Sequence, residues 1–241
     1  MTESSLTFLL ATAMSIGFVH TLIGVDHSLP FIVLGRARGW SLPRVLAITA
    51  ACGLAHVLSS VLIGTIGIGI GAGLQRLEII EGFRGNVASW LMIGFGLCWA
   101  SWAFIRARRG KSHSHGHAHD DGTVHEHGHD HQREHMHAHE QVSGRKLGVT
   151  AFWSLFLIFA FGPCEALIPM LMFPAMEHAW GSVALVVLVF GLTTIGTMMA
   201  VVGVVYAGAL RLSLDGFERH ADVFAGLAIA LSGAAIPLLG I

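Results

Sequence analysis

The stretch Gly17–His27, GFVHTLIGVDH, sets two histidines and an aspartate inside an apolar run that extends from Leu6 to Leu34. Ionisable groups are costly in an apolar medium and, at membrane depth, usually face a polar pathway. The run holds no Lys or Arg over 29 residues. As one straight helix it would measure roughly 44 Å, against about 30 Å of bilayer hydrocarbon. It is too long for a single straight crossing, and Asp26, His27 and Pro30 mark where it must bend.

The rest of the chain decides which solvent this segment meets. Hydrophobic residues make up 54% and charged residues 12% of 241 residues, and the mean hydropathy is +0.67. Apolar runs of membrane-spanning length recur, so the expected class is all-α, a polytopic membrane protein. Six segments are readable: Leu6 to Leu34, Val45 to Leu74, Val87 to Ile105, Leu147 to Met176, Val183 to Leu210 and Val223 to Ile241. The first follows Glu3 without a basic region, the pattern of a membrane helix and not of a cleaved leader. A net charge of -1 argues against nucleic acid. Cys52, Cys98 and Cys164 form no CxxC pair and no disulfide framework. Trp90, Trp99, Trp102 and Trp153 are expected near the membrane interfaces.

Charge sets the expected orientation. Twelve of the fourteen Lys and Arg fall in one set of alternate linkers, and only Arg76 and Arg84 in the other. The positive-inside rule then puts both termini outside and the long central linker in the cytoplasm. With no Lys or Arg inside the apolar segments, an anion carrier is disfavoured.

The two ends of the chain also resemble each other. GLAHVLSSVLIG from Gly53 aligns with GLTTIGTMMAVV from Gly191, Trp40 with Trp180, and EGFRGNVASW from Glu81 with DGFERHADVF from Asp215. Three helices per copy is an odd number, so the second copy would cross the membrane inverted, as in many secondary transporters. The expected organisation is a first three-helix repeat over 1–105, a His-rich cytoplasmic loop over 106–146, and a second repeat over 147–241. The second copy also opens with a long, interrupted segment, in which FGPCEALIP brackets Glu165 with Gly162, Pro163 and Pro169. Broken helices at matching places point to a substrate site, because unwound backbone survives at membrane depth only where it lines a cavity.

His20 and His27 are two helical turns apart on one face, and a bend near Gly24 would turn both rings toward one point. Asp26 adds an anionic oxygen, and His56 comes from the next helix. Neutral imidazoles with a carboxylate suit nickel, cobalt or zinc. Each residue also has a plainer reading. His56 alone more often hydrogen-bonds a neighbouring helix, and Asp26 caps the following helix equally well. Glu165 serves as ligand, proton carrier or neutral buried acid. Cys164 is a thiolate ligand or a small apolar filler, and the filler is the default.

His113 to His139 carries eleven of the sixteen histidines: His113, His115, His117, His119, His125, His127, His129, His131, His135, His137 and His139. So polar a tract cannot bury a core and is expected to be disordered without ligand. Histidines alternating with Asp and Glu offer many weak, interchangeable cation sites that protonation near pH 6 would empty.

HTLIGVDH, from His20 to His27, resembles the HPxxGxDH signature in the first helix of the HupE/UreJ nickel and cobalt permeases, matching at His20, Gly24, Asp26 and His27. Thr21 stands where that family has proline. The stretch is also similar to the HxxxxDH signature of the NiCoT permeases, with one more residue between the first His and the Asp. The long His-rich loop and the Pro-Cys pair resemble the NicO/RcnA exporters. The resemblance implies a six-helix permease of a prokaryotic cytoplasmic membrane in which His20, Asp26 and His27 contact the ion.

The function expected is therefore transport of a divalent transition-metal ion, nickel or cobalt first and zinc next. The protein would be no enzyme, its ion a substrate and not a cofactor. The tract would collect or buffer the ion, His20, Asp26, His27 and His56 would bind it, and Glu165 would close the site. The bilayer is the expected surroundings, a second copy of the chain and a cytoplasmic metallochaperone the possible partners. An intramembrane metalloenzyme using the same histidines is one rival, and a thiol electron carrier of the CcdA type is another.

Overall fold

Two Gly-centred interruptions break the helices where the long apolar runs have to bend. The structure, a computed structural model, describes residues 2–108, 113–118, 124–129, 140–164, 166–211 and 220–239. Helix α1, Glu3–Ile23, begins with Thr2 Oγ1 accepting from the Ser5 amide at 3.2 Å and ends at Gly24, whose backbone is extended (ψ 96°). A 3-10 turn, Val25–His27, follows, and α2, Leu29–Ala37, restarts the path with Pro30 in its first turn, where a missing amide proton costs nothing. Helices α3, Leu42–Gly69, and α4, Leu74–Arg108, complete this part.

After the histidine tract, α5, Glu140–Phe161, stops where Gly162 precedes Pro163, since a residue before proline disfavours the helical region. Helix α6, Leu167–Met176, resumes beyond the break, and α7, Trp180–Leu210, and α8, Ala221–Leu239, follow. Five helices, α1, α3, α4, α7 and α8, are long and apolar enough to cross a membrane, while Val149–Phe161 and α6 are shorter apolar pieces. The body is thus helical and built as an integral membrane protein. Its outer faces carry Phe8, Leu62, Phe83, Val204 and Leu231, all exposed, as lipid-facing surface requires.

Several boundaries differ from those readable in the sequence. Helix α4 starts at Leu74 and not Val87, so Arg76, Glu78, Glu81 and Arg84 belong to a helix, not a linker; the charges hid a helical stretch that continues past the apolar window. Helices α4 and α5 also reach into the 106–146 linker from both sides. Inside it, the backbone of His113–Ala118 (β1) pairs antiparallel with Val124–His129 (β2), where no regular structure was expected; histidine alternating with other residues suits the two-residue period of a strand. Trp99 is buried, whereas Trp90, Trp102 and Trp153 are exposed. Trp99 is held inside by Arg38, whose guanidinium carbon lies 4.4 Å from its ring centroid.

Small residues let the long helices approach. A Cβ on Gly96 of α4 would lie 2.5 Å from Gly226 O and Ala230 N of α8, and one on Gly226 would lie 2.5 Å from Ala100 N. Backbones in such contact are the usual basis of helix association in lipid. Gly17 seats α1 against Phe190 and Thr194 of α7, and Gly53 seats α3 against Met198. One core joins Phe31, Leu34, Cys52, Phe159, Met198 and Tyr206, and a second joins Leu9, Ala13, Cys164, Leu167 and Phe190. The Tyr206 hydroxyl donates to the Trp40 carbonyl and so fixes the α2–α3 turn onto α7.

Candidate metal centre

The first break brings its ionisable groups together. Gly24 ends α1 with its amide donating to His20 O at 3.0 Å, and the His27 amide donates to Gly24 O at 3.1 Å. The chain turns between the two histidines, and their ring centroids stand 4.9 Å apart, edge to face. His56, midway along α3, lies 5.2 Å from His27 by the same measure. One ligand atom from each of His20, His27 and His56 lies within 4.8 Å of the others. His27 and His56 are buried, and His20 is partly so.

The unpaired atoms are the informative ones. His20 Nε2, His27 Nε2 and both ring nitrogens of His56 are buried and make no well-formed hydrogen bond, the Phe159 backbone being the polar group beside His56. Buried polar atoms are nearly always paired, and each exception calls for an explanation such as an ion. Nitrogens 2.0–2.1 Å from one tetrahedral ion lie about 3.4 Å apart. The three rings would therefore close inward by about an ångström to hold one.

Asp26 stands outside this set of three. Its Oδ1 is 3.1 Å from His27 Nδ1; in the neutral tautomer with its proton on Nδ1, that nitrogen donates to the carboxylate and Nε2 is left as the acceptor. A carboxylate behind a histidine fixes its tautomer and makes it a better ligand. Gly24 makes this pairing possible, because a Cβ there would lie 2.4 Å from His27 Nδ1 and 2.9 Å from Asp26 Oδ1.

The set opens onto a cavity of about 590 Å³. Its walls include Asp26 itself, Gly82 and Asn86 from the first half of α4 with Met92 at its middle, Ile236 and Pro237 from the last turns of α8, Phe159 from the end of α5, and Gly162 and Pro163 from the second break. Gly162 presses directly on the third histidine: a Cβ on it would lie 3.2 Å from His56 Nδ1. In their neutral form three imidazoles would leave a fourth position to water or a counter-ligand, a donor set suited to borderline dications.

The other candidates divide. Cys164 is fully buried in the second core and is not among the three groups that converge. Its amide makes polar contacts at 3.0 Å to Ser60 Oγ and 3.1 Å to Glu81 Oε2. Glu165 lies outside the described residues, as do His119, His131, His135, His137 and His139. Of the rest of the tract, the register pairs His113 with His129, His115 with His127 and His117 with His125 along the two strands.

Sequence reasoning missed one polar group in the membrane body. Arg84, assigned to an outer linker, is 8% exposed inside α4, and Glu81, one turn before it, is fully buried. The premise that no basic residue lies in the helical interior therefore fails. The signal was present: Glu and Arg at i and i+3 form a helical pair, and Ser59–Ser60 is a polar doublet in an apolar run. Comparison of the chain with family models, with curated proteins and with solved structures yields no match.

Proposed function

We propose that this protein carries a divalent transition-metal ion across a membrane, nickel or cobalt first and zinc next, with His20, His27 and His56 as the intramembrane ligands. The observation that carries the reading is the meeting of three imidazoles at the base of a cavity, four of their nitrogens buried without a well-formed hydrogen bond. Asp26 supports His27 instead of ligating. Six crossings are counted by joining α1 to α2 and α5 to α6 through their breaks, and the order broken, long, long then recurs after the tract. That recurrence supports two inverted repeats, one rocking against the other in alternating access.

Orientation follows the same reading. With Arg84 inside α4, the side of the α3–α4 turn keeps Arg76 as its one basic residue, which strengthens the bias toward a cytoplasmic tract. The cavity is walled by the first half of α4 and the end of α8, so it faces away from the tract, toward the outside. The tract buffers ions at the opposite mouth.

Radioactive nickel, cobalt and zinc fluxes in sealed vesicles of known orientation test this, comparing the intact chain with His27→Ala and with deletion of 113–139. Flux that disappears in His27→Ala and persists without the tract is the expected result. Equal flux in empty vesicles would end the proposal. The metalloenzyme reading keeps one observation in its favour, three histidines with an open fourth position, which is also a catalytic zinc arrangement. It requires metal retained through chelator treatment at one ion per chain, whereas a carrier exchanges its ion.

A further inference from the structure

A second cluster of charges is buried in the helical body, and its partners connect it to the third histidine. The Arg84 guanidinium donates through Nη1 to Glu81 Oε1 and to Ser60 Oγ, the latter at 3.2 Å. Through Nη2 it donates to Ser59 Oγ at 2.7 Å, to Ala160 O at 3.1 Å and to Gly162 O at 3.2 Å. Those two carbonyls belong to the end of α5 and the residue after it, where helical partners run out. Glu81 Oε2 accepts from Ser60 Oγ at 3.0 Å and from the Cys164 amide at 3.1 Å. One ion pair on α4 thus satisfies both the carbonyls entering the second break and an amide within it.

The same pair reaches His56 by two routes. Ser59, which accepts from Arg84, donates its hydroxyl to His56 O at 2.9 Å. Gly162, whose carbonyl Arg84 also holds, packs its Cα face against the His56 ring. Backbone and ring of the third ligand are both set by groups that the guanidinium grips. A planar fork with five donors matches this demand, and an ammonium does not.

We infer that Arg84, with Glu81 as its counter-charge, is a positioning residue that docks the second break onto α3 and thereby sets His56 within reach of His20 and His27. This rests on the proposed metal reading, and the test separates the two.

Full-length protein in lipid nanodiscs, carrying Cys98→Ser, gives two readouts. One is the rate at which buried Cys164 reacts with a water-soluble maleimide, read at that peptide. The other is the affinity for Co2+ of the component that His27→Ala removes. Arg84→Gln should speed Cys164 labelling and weaken that cobalt component, by about 10–100-fold as for other groups that support a metal ligand. Arg84→Lys should recover part of both. Ser59→Ala keeps the ion pair and cuts only one route to His56, so it should weaken cobalt several-fold without changing labelling.

Unchanged labelling in Arg84→Gln overturns the docking role. Faster labelling with unchanged cobalt affinity overturns the link to His56. If Arg84→Gln does not fold, Ser59→Ala decides, and full cobalt affinity there counts against the inference. A protein with no His27-dependent cobalt component refutes the proposed function and the positioned ligand with it, while the labelling arm still reports on docking.

Discussion

The two breaks in the helical body are alike in origin and opposite in finish. Each follows a glycine and precedes a proline-bearing helix, and each leaves backbone groups that lipid cannot satisfy. At the second, Arg84, Glu81, Ser59 and Ser60 pair the exposed carbonyls and an amide. At the first, the backbone is paired but buried ring nitrogens of His20, His27 and His56 are left over. Pairing of this kind suits a structural joint, and the leftover nitrogens are what the proposed ion would use. The contrast is one of stability against function, and substitutions should fall on opposite sides of it.

The largest expected effect is on stability. Arg84→Leu removes one member of a buried ion pair and strands the Glu81 carboxylate, a change that costs about 3–5 kcal/mol in comparable sites. His56→Leu, of similar volume, removes buried ring nitrogens that make no well-formed hydrogen bond and should raise the stability of metal-free protein by about 1 kcal/mol. Thermal unfolding in detergent, with a chelator present, measures both. If both substitutions destabilise alike, the histidines are structural and the comparison breaks.

Binding reverses the order. His27→Ala deletes one of the three proposed ligands and should lower Co2+ affinity by at least about a hundredfold, beyond the roughly 10–100-fold expected for a group that only supports a ligand. Asp26→Asn tests that supporting class. It keeps an oxygen for the His27 Nδ1 proton but loses the charge behind it, so about a tenfold loss is expected. Isothermal titration with cobalt on protein lacking 113–139, so that the tract adds no sites of its own, reads both. A loss in Asp26→Asn as large as that in His27→Ala would restore the aspartate as a direct ligand.

Much of the first break was legible because its signals are local. The excess length of the run, the spacing of His20 and His27 and the need for Gly24 all lie within one segment, and His56 follows on the next helix. What stayed hidden was contact between distant segments. Nothing near Arg84 in sequence indicates that Ala160 and Gly162 would need its protons, and two charges in one turn read more simply as a solvated linker. Helix α4 was truncated for that reason, although its period continues through Leu77, Glu81, Arg84 and Ala88, all buried. Residue type suggests Asp26 as a ligand, and in the structure its carboxylate lies 3.1 Å from His27 Nδ1 while the residue also lines the cavity. Whether a carboxylate faces an ion or the back of a neighbouring ring is decided by geometry that spacing does not carry.

Cys164 should show the smallest change, and its smallness is informative. The residue sits in the second break beside Pro163, a position that suggests a thiolate ligand. Its side chain packs in the core with Leu167, Leu171 and Phe190, and its amide, which alanine retains, pairs with Ser60 and Glu81. Cys164→Ala should therefore leave the His27-dependent cobalt affinity within about twofold, while the lost packing costs about 1 kcal/mol of thermal stability. The cobalt spectrum sharpens the point, because a sulfur ligand would add a thiolate-to-metal charge-transfer band that the substitution abolishes. Such a band, or an affinity loss matching that of His27→Ala, would mean that the second break supplies a ligand as well as a joint, and the difference between the two breaks would then be one of degree.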